Sequence, residues 1–363
     1  MKTSDFGFEL PESLIAQHPP AERGQSRLMV INREKHSLEH RMVSELPAIL
    51  ESGTLMVFNN SRVRKARLFG VPEAALRDRR QAPEAAGAKA EFLLLKKIDS
   101  LSWLVISKRS KRQKPLNRYV FDDVSAELQI AEGDLTLRFD RPIDDAWLDV
   151  HGHVPLPPYI RREDSEADAE RYQTIFAREP GSAAAPTAGL HFTEELLAEL
   201  EKAGVEAAFI TLHVGLGTFL PVRTEDIEEH KMHEEIFSIS EDAACRIEKA
   251  KAEGRKILAV GTTSVRTLES AWVENHAIEN HSLPGNAGKG RLRRGEGSTS
   301  IFIYPGYRFK VADSMFTNFH TPFSTLLMLV SAFVDKDFIF DCYKEAVKEG
   351  YRFFSYGDAC LIL

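Results

Sequence analysis

The sequence predicts an α/β protein in which both chain ends build one larger mixed-sheet α/β domain, with a small β-barrel domain inserted between them. Three observations predict it. From about Lys65 to Val150, short strand-like runs follow one another with turn signals between them and no helix among them, which is the spacing of a small barrel. From His151 onward, capped helices alternate with apolar strands, the pattern of an α/β layer. Before Arg64, short apolar runs alternate with turn residues. The expected boundaries are 1–64 with 151–363 for the discontinuous α/β domain, and 65–150 for the insertion.

Arg27–Asn32 and Thr54–Phe58 read as the first strands. Ala74–Ala90 reads as an extended, low-complexity loop. The barrel strands include Glu91–Leu95, Trp103–Ile106, Tyr119–Phe121, Ala126–Ile130 and Leu135–Phe139. The helix Phe192–Ala203 places Phe192, Leu196, Leu197, Leu200 and Ala203 on one face. Thr193 caps it, Glu194 and Glu195 suit its positive start, and Gly204 stops it. A second helix, Glu241–Glu253, is capped by Ser240 and ended by Gly254. The strand Lys256–Val260 then delivers Gly261-Thr262-Thr263-Ser264 into a helix running through Leu268 and Trp272. Tyr304–Tyr307 reads as a Pro-Gly turn between strands. Closing helices begin near Pro322 and Lys336, and Arg352–Phe354 and Leu361–Leu363 read as last strands.

Composition narrows the class. Of 363 residues, 43% are hydrophobic and 28% charged, ordinary for a soluble globular protein. Met1–Glu9 lacks the basic and apolar regions of a secretory signal, and the apolar run Thr325–Val334 is too short to span a bilayer. Cys245, Cys342 and Cys360 are far apart and offer neither a disulfide framework nor a zinc site, which fits a cytoplasmic protein. Each sits in an apolar-periodic segment and is expected to be buried and inert. A net charge of −7 argues against coating long nucleic acid. Two basic patches remain: Lys108, Arg109, Lys111, Arg112, Lys114 and Arg118, and then Lys289, Arg291, Arg293 and Arg294.

Several constellations suit chemistry. Pro186-Thr187-Ala188-Gly189-Leu190-His191 stands just before a capped helix, where backbone amides face an anion and His191 titrates near neutrality. A tight turn with a packed histidine explains the same residues. His213-Val214-Gly215-Leu216-Gly217-Thr218 lacks the third glycine of a dinucleotide loop, so its glycines mean a sharp bend beside a ligand or a strand. His230 and His233 sit among glutamates without helical ligand spacing, so no metal is assigned. Gly261–Arg266 opens a helix at a strand's carboxyl end, where α/β folds place ligands, and Arg266 adds a bidentate donor. Simple capping is the alternative. Asn318 and His320 stand at another helix start, Asn59-Asn60-Ser61-Arg62 follows a strand, and Asp358 suits an acid, a base or a hydrogen-bond orienter.

With these residues in view, the sequence resembles the S-adenosylmethionine:tRNA ribosyltransferase-isomerases of queuosine biosynthesis. The resemblance runs in order over nearly the whole chain. It includes Phe58–Val63, Gly152–Ile160, Arg171–Thr174, Leu212–Phe219, Met232–Glu234, Ala259–Leu268, Phe302–Tyr307, Thr317–His320 and Phe354–Asp358, with Ala184–Thr193 the most specific piece. It implies transfer and isomerisation of the ribosyl part of S-adenosylmethionine onto 7-aminomethyl-7-deazaguanine at the tRNA wobble position. The product is epoxyqueuosine, with adenine and methionine released.

That chemistry implies S-adenosylmethionine as co-substrate, no tightly bound cofactor and tRNA as partner; no membrane is expected from the short apolar runs, and without long uncharged apolar surfaces a monomer is the default. His191, His213 and Asp358 are the expected catalytic residues. Asn60, Arg62, Pro186, Thr187, Gly189, Gly215, Gly217, Thr218, His233, Thr262, Thr263, Arg266, Asn318 and His320 are expected to bind substrate. His191 or His213 would act as base or as proton donor to adenine, and Thr262, Thr263 and Arg266 would anchor a carboxylate or phosphate. The chain departs from the family pattern at His320-Thr321-Pro322-Phe323-Ser324, which commonly carries a lysine where Phe323 stands. The basic segment lacks a Pro-Gly end, and Ala74–Ala90 and Ser282–Gly295 are longer than usual. The competing readings are another S-adenosylmethionine-dependent tRNA-modifying enzyme and a non-catalytic tRNA-binding protein.

Overall fold

The computed structural model describes residues 1–74, 89–107, 117–131, 134–215, 222, 224–274 and 290–363. The chain divides into two compact units. One is Met1–Arg62 with Pro157–Arg162 and Arg171–Leu363; the other is Val63–Leu156 with Glu163–Glu170.

The first unit carries a nine-stranded mixed sheet. Its strands run in the order Gly295–Thr299, Glu235–Ile239, Glu206–Leu212, Leu55–Asn59, Ile257–Val260, Ser314–Asn318, Ala359–Ile362, Arg27–Asn32 and Ser37–Met42. The four strands from Glu206–Leu212 to Ser314–Asn318 are parallel to one another. Leu55–Asn59, Ile257–Val260 and Ser314–Asn318 are buried at every position, as continuous apolar runs in a sheet covered on both faces should be. Period-two alternation divides them cleanly. Leu55, Val57, Ile257, Ala259 and Met315 join one hydrophobic cluster, and Met56, Phe58, Leu258, Val260 and Phe316 join the other. The first cluster takes in Ile247, Leu268 and Val330 from helices Glu241–Ala252, Thr262–Ala271 and Thr325–Phe333; the second takes in Leu196 and Leu200 from Glu194–Lys202.

The caps read from the sequence form. Thr193 Oγ1 accepts the Leu196 amide at 3.1 Å, and Ser240 Oγ accepts that of Ala243 at 3.2 Å. The helix expected near Pro322 begins at Thr325, with Ser324 as its cap. No helix among the described residues is long and apolar enough to cross a membrane.

The second unit is a closed six-stranded antiparallel barrel ordered Asp134–Phe139, Ser102–Ser107, Ala90–Lys97, Arg67–Pro72, Arg118–Phe121 and Val124–Ala131. Leu68, Phe92, Trp103, Phe121, Leu128 and Leu137 are among the residues of its core. Gly70 and Pro72 interrupt the strand signal of Arg67–Pro72. Gly70 is needed there, because a Cβ would come within 2.7 Å of the Phe121 ring.

Three expectations are corrected. Arg352–Phe354 is not a strand: only Phe353 bridges to Ile15, and Phe354 turns the backbone to φ 72. Tyr304–Tyr307 does turn, but no strand flanks it directly. Cys245 is exposed on its helix, donating to Glu241 Oε1 at 3.5 Å, whereas Cys342 and Cys360 are buried. The loop 75–88, the basic stretch 108–116 and most of Ser282–Gly295 lie outside the described residues.

Candidate active site

Parallel strands deliver their carboxyl ends to one edge of the sheet, and there the fold gathers its polar residues. Leu55–Asn59 ends on Asn59, Ile257–Val260 runs into Gly261, and Ser314–Asn318 ends on Asn318. A cavity of about 280 Å³ opens at this edge within the first unit, walled by Pro186, Thr187, Gly261, Thr262, Thr263 and Asn318. His320, Phe323, Phe354, Ser355 and Tyr159 complete much of the rest of its wall.

One wall is a helix start. Gly261 has φ 86, a conformation that suits glycine, and turns the chain from the strand into Thr262–Ala271. The amides of the first helical turn have no intrahelical acceptor, and the helix dipole adds positive potential at this end. Thr262 and Thr263 therefore present donors suited to a carboxylate. Asn59 holds the adjoining strand end. Its Nδ2 donates to the Leu212 carbonyl at 2.9 Å, and its Oδ1 accepts from Leu212 and Ser61 at 3.0 Å each. The sequence reading passed over Asn59 in favour of Asn60; burial at a strand end was the signal available.

The loop Pro186–His191 forms a short 3-10 turn over Thr187–His191. Gly189 serves packing there, since a Cβ would come within 2.7 Å of Thr174 Cγ2 and 2.9 Å of Phe176 Cζ. His191 is 4% exposed and does not line the cavity; it lies behind Asn318, which does. Asn318 Nδ2 donates to His191 Nε2 at 3.2 Å and to the Phe354 carbonyl at 3.0 Å. Burial pulls the His191 pKa down to about 4, and the Arg352 and Arg23 charges pull the same way. His320 is also buried, with Nε2 2.9 Å from Thr317 Oγ1, and burial lowers it to about 3. Both imidazoles are neutral at pH 7.

Several of the expected site residues lie off the cavity wall. Arg266 is buried away from the cavity, where it forms an ion pair with Glu235. Glu235 Oε1 also accepts the Gly215 amide at 3.0 Å. The guanidinium is thereby neutralised inside the protein. Asp358 accepts the Arg27 amide at 3.1 Å and the Arg352 amide at 2.8 Å, bracing the turn that carries Phe354 and Ser355. It does not line the cavity either. The His213 ring packs on Gly181, whose absent Cβ would sit 3.0 Å from the imidazole. Asn60 accepts from Thr211 Oγ1 at 2.8 Å and binds the backbone of Arg178. Arg62 and His233 are exposed, away from the cavity wall. Gly217 and Thr218 lie outside the described residues. Among the described residues, no group of three or more His, Cys, Asp or Glu side chains is placed to hold a metal ion.

Tyr159 and Ser355 enter the wall without having been singled out. Tyr159 Oη lies 2.5 Å from Ser355 Oγ, and its ring packs on Phe354 with centroids 4.4 Å apart. Tyr159 sits in Pro155-Leu156-Pro157-Pro158-Tyr159, where an aromatic after a proline run was the available signal.

Comparison with known proteins gives one answer throughout. The family model described as "Queuosine biosynthesis protein" matches residues 3–362. A relative from Treponema denticola named S-adenosylmethionine:tRNA ribosyltransferase-isomerase is 50% identical, with 100% of each chain covered. One of the same name from Desulfitobacterium hafniense is 49% identical, again over 100% of each. A crystal structure of the S-adenosylmethionine tRNA ribosyltransferase from Thermotoga maritima is 35% identical. It covers 99% of this chain and 100% of that one, with a TM-score of 0.53.

Proposed function

The chain belongs to the queuosine biosynthesis protein family, and from that premise we propose that it is an S-adenosylmethionine:tRNA ribosyltransferase-isomerase. The observation that carries the reading is end-to-end identity of 50% with a relative bearing that name. The finer reaction follows from the chemistry already set out. The ribosyl part of S-adenosylmethionine passes to 7-aminomethyl-7-deazaguanine at the wobble position of tRNA and rearranges to the epoxide, and adenine and methionine leave. A tRNA substrate makes the cytoplasm the implied compartment.

The cavity supports particular roles. Thr262 and Thr263 present the first-turn amides of a helix to the methionine carboxylate. Arg266 has no part in this anchor, because Glu235 already holds its charge. His191, neutral and buried behind Asn318, acts on the site by fixing the Asn318 amide at the cavity wall. Asp358 acts on the site through the turn it braces.

Incubation with labelled S-adenosylmethionine and precursor-bearing tRNA tests the activity: adenine and methionine should appear together. Release of S-adenosylhomocysteine would mark a methyltransferase instead, and tRNA binding without turnover a non-catalytic protein. Unchanged adenine release by His191→Ala would remove His191 from the mechanism.

A further inference from the structure

We propose that the rings of Phe323 and Phe354 receive a flat, purine-like heterocycle in the cavity that both line; this rests on the S-adenosylmethionine reading and deepens it. Among the described residues, four other than glycine have positive φ: His36, Asp122, Phe323 and Phe354. Two of the four are phenylalanines, and both line the same cavity. Aspartate tolerates this region, whereas a bulky ring there is an outlier. Such outliers persist only where surroundings over-determine them, and they gather at ligand clamps.

The surroundings do over-determine both residues. Phe323, at φ 59, donates its amide to the Phe6 carbonyl at 2.9 Å. Its ring lies on Gly7, where a Cβ would come within 2.5 Å of Cε1. Phe354, at φ 72, donates to the Phe319 carbonyl at 3.0 Å and accepts from Asn318 Nδ2 at 3.0 Å. Tyr159 backs its ring. Phe323 remains 46% exposed, so burial in the folded protein does not explain why a strained backbone presents it to the cavity.

A ring held this way offers a face for stacking, and every purine-like base has a face to match. The helix start at Thr262 serves an anionic group, while the phenylalanines serve a neutral, flat one. Two sources share that chemistry: the adenine of S-adenosylmethionine and the deazaguanine base carried by tRNA.

Calorimetric titration of the wild-type protein, Phe323→Gly and Phe354→Leu with S-adenosylmethionine, and separately with free 7-aminomethyl-7-deazaguanine, tests the assignment. We expect one of the two ligands to bind roughly 5- to 100-fold more weakly to the variants, and the ligand affected identifies the source. Phe323→Gly should melt close to wild type, because relief at φ 59 offsets the lost contact of the ring with Gly7. If Phe354→Leu fails to fold, Phe323→Gly alone decides. Unchanged affinity for both ligands overturns the clamp. Failure of the wild type to bind S-adenosylmethionine overturns the functional reading, while the deazaguanine titration still decides the clamp; binding of neither ligand overturns both.

Discussion

Asn318 donates through Nδ2 to His191 Nε2 at 3.2 Å, and this one contact sets the state of both residues. The same nitrogen reaches the Phe354 carbonyl at 3.0 Å. A carbonyl can only accept, so the amide nitrogen must face that side. His191 Nε2 is then an acceptor, and the neutral ring carries its proton on Nδ1. Asn318 is 2% exposed, and its Oδ1 is buried with no hydrogen-bond partner. A buried amide oxygen of this kind is costly unless something else satisfies it.

Because burial holds His191 down at about 4, against an ordinary 6.5, the unfolded chain takes up a proton before the folded one does. The stabilising contribution is therefore full above about pH 6.5 and is lost as pH falls toward 4. Integration over these values gives a loss of about 2 kcal/mol from His191 between pH 7 and pH 5. His191→Gln, whose carbonyl accepts from Asn318 without titrating, should remove that share. Urea melts at the two pH values measure it. Equal losses in wild type and variant would mean that folding does not depress the His191 pKa.

Gly189→Ala tests whether the Pro186–His191 turn depends on packing. The added Cβ meets Thr174 and the Phe176 ring below 3.0 Å, and such overpacking costs about 1–3 kcal/mol. Thermal denaturation should show a lower midpoint, since the buried Phe176 ring has little room to retreat. A midpoint equal to wild type would show that the turn shifts without cost.

These cases mark what the sequence makes legible. The Thr193 and Ser240 caps and the Gly261 turn were readable because each depends on residues close together in the chain, and the barrel because its short strands and turns repeat along the sequence. The cavity edge followed from where parallel strands end. Pairings between distant segments left no such trace. Arg266 reads as an anion anchor, and nothing near it in the chain names Glu235, 31 positions away, as its ion-pair partner. Asp358 reads as an acid, a base or a hydrogen-bond orienter, and nothing near it in the chain names the Arg27 amide, 331 positions away, as one of the groups it holds. Gly189 announces that no side chain fits, but periodicity does not say that Thr174 and Phe176 are the reason. Positive φ at Phe323 and Phe354 runs against residue preference, so no pattern of types foretold it.

Asp358→Asn should destabilise without altering the cavity wall directly. The carboxylate accepts two backbone amides, from Arg27 and Arg352. An asparagine keeps one acceptor and turns an NH₂ toward the other amide, leaving a buried donor unsatisfied at a cost of about 1–3 kcal/mol. Hydrogen exchange at the Arg27 or Arg352 amide should quicken by a matching factor. Unchanged protection at both would show that the turn holds without the carboxylate.

The buried pair of Arg266 and Glu235 separates support of the fold from binding of substrate. Arg266→Met leaves the Glu235 carboxylate buried with the Gly215 amide among its remaining partners. Removing one member of a buried ion pair costs about 3–5 kcal/mol, because the other charge stays uncompensated. Replacing both, as Arg266→Met with Glu235→Leu, removes that penalty, and most of the lost stability should return. Chemical denaturation of the two single variants and the double variant gives the coupling. Titration with S-adenosylmethionine then decides the role. If Arg266 only neutralises Glu235, the double variant binds within a few-fold of wild type, because the Thr262 and Thr263 amides are untouched. A stable double variant that has lost affinity by about a hundredfold would return Arg266 to the ligand, since a direct contact between arginine and carboxylate has that order of strength.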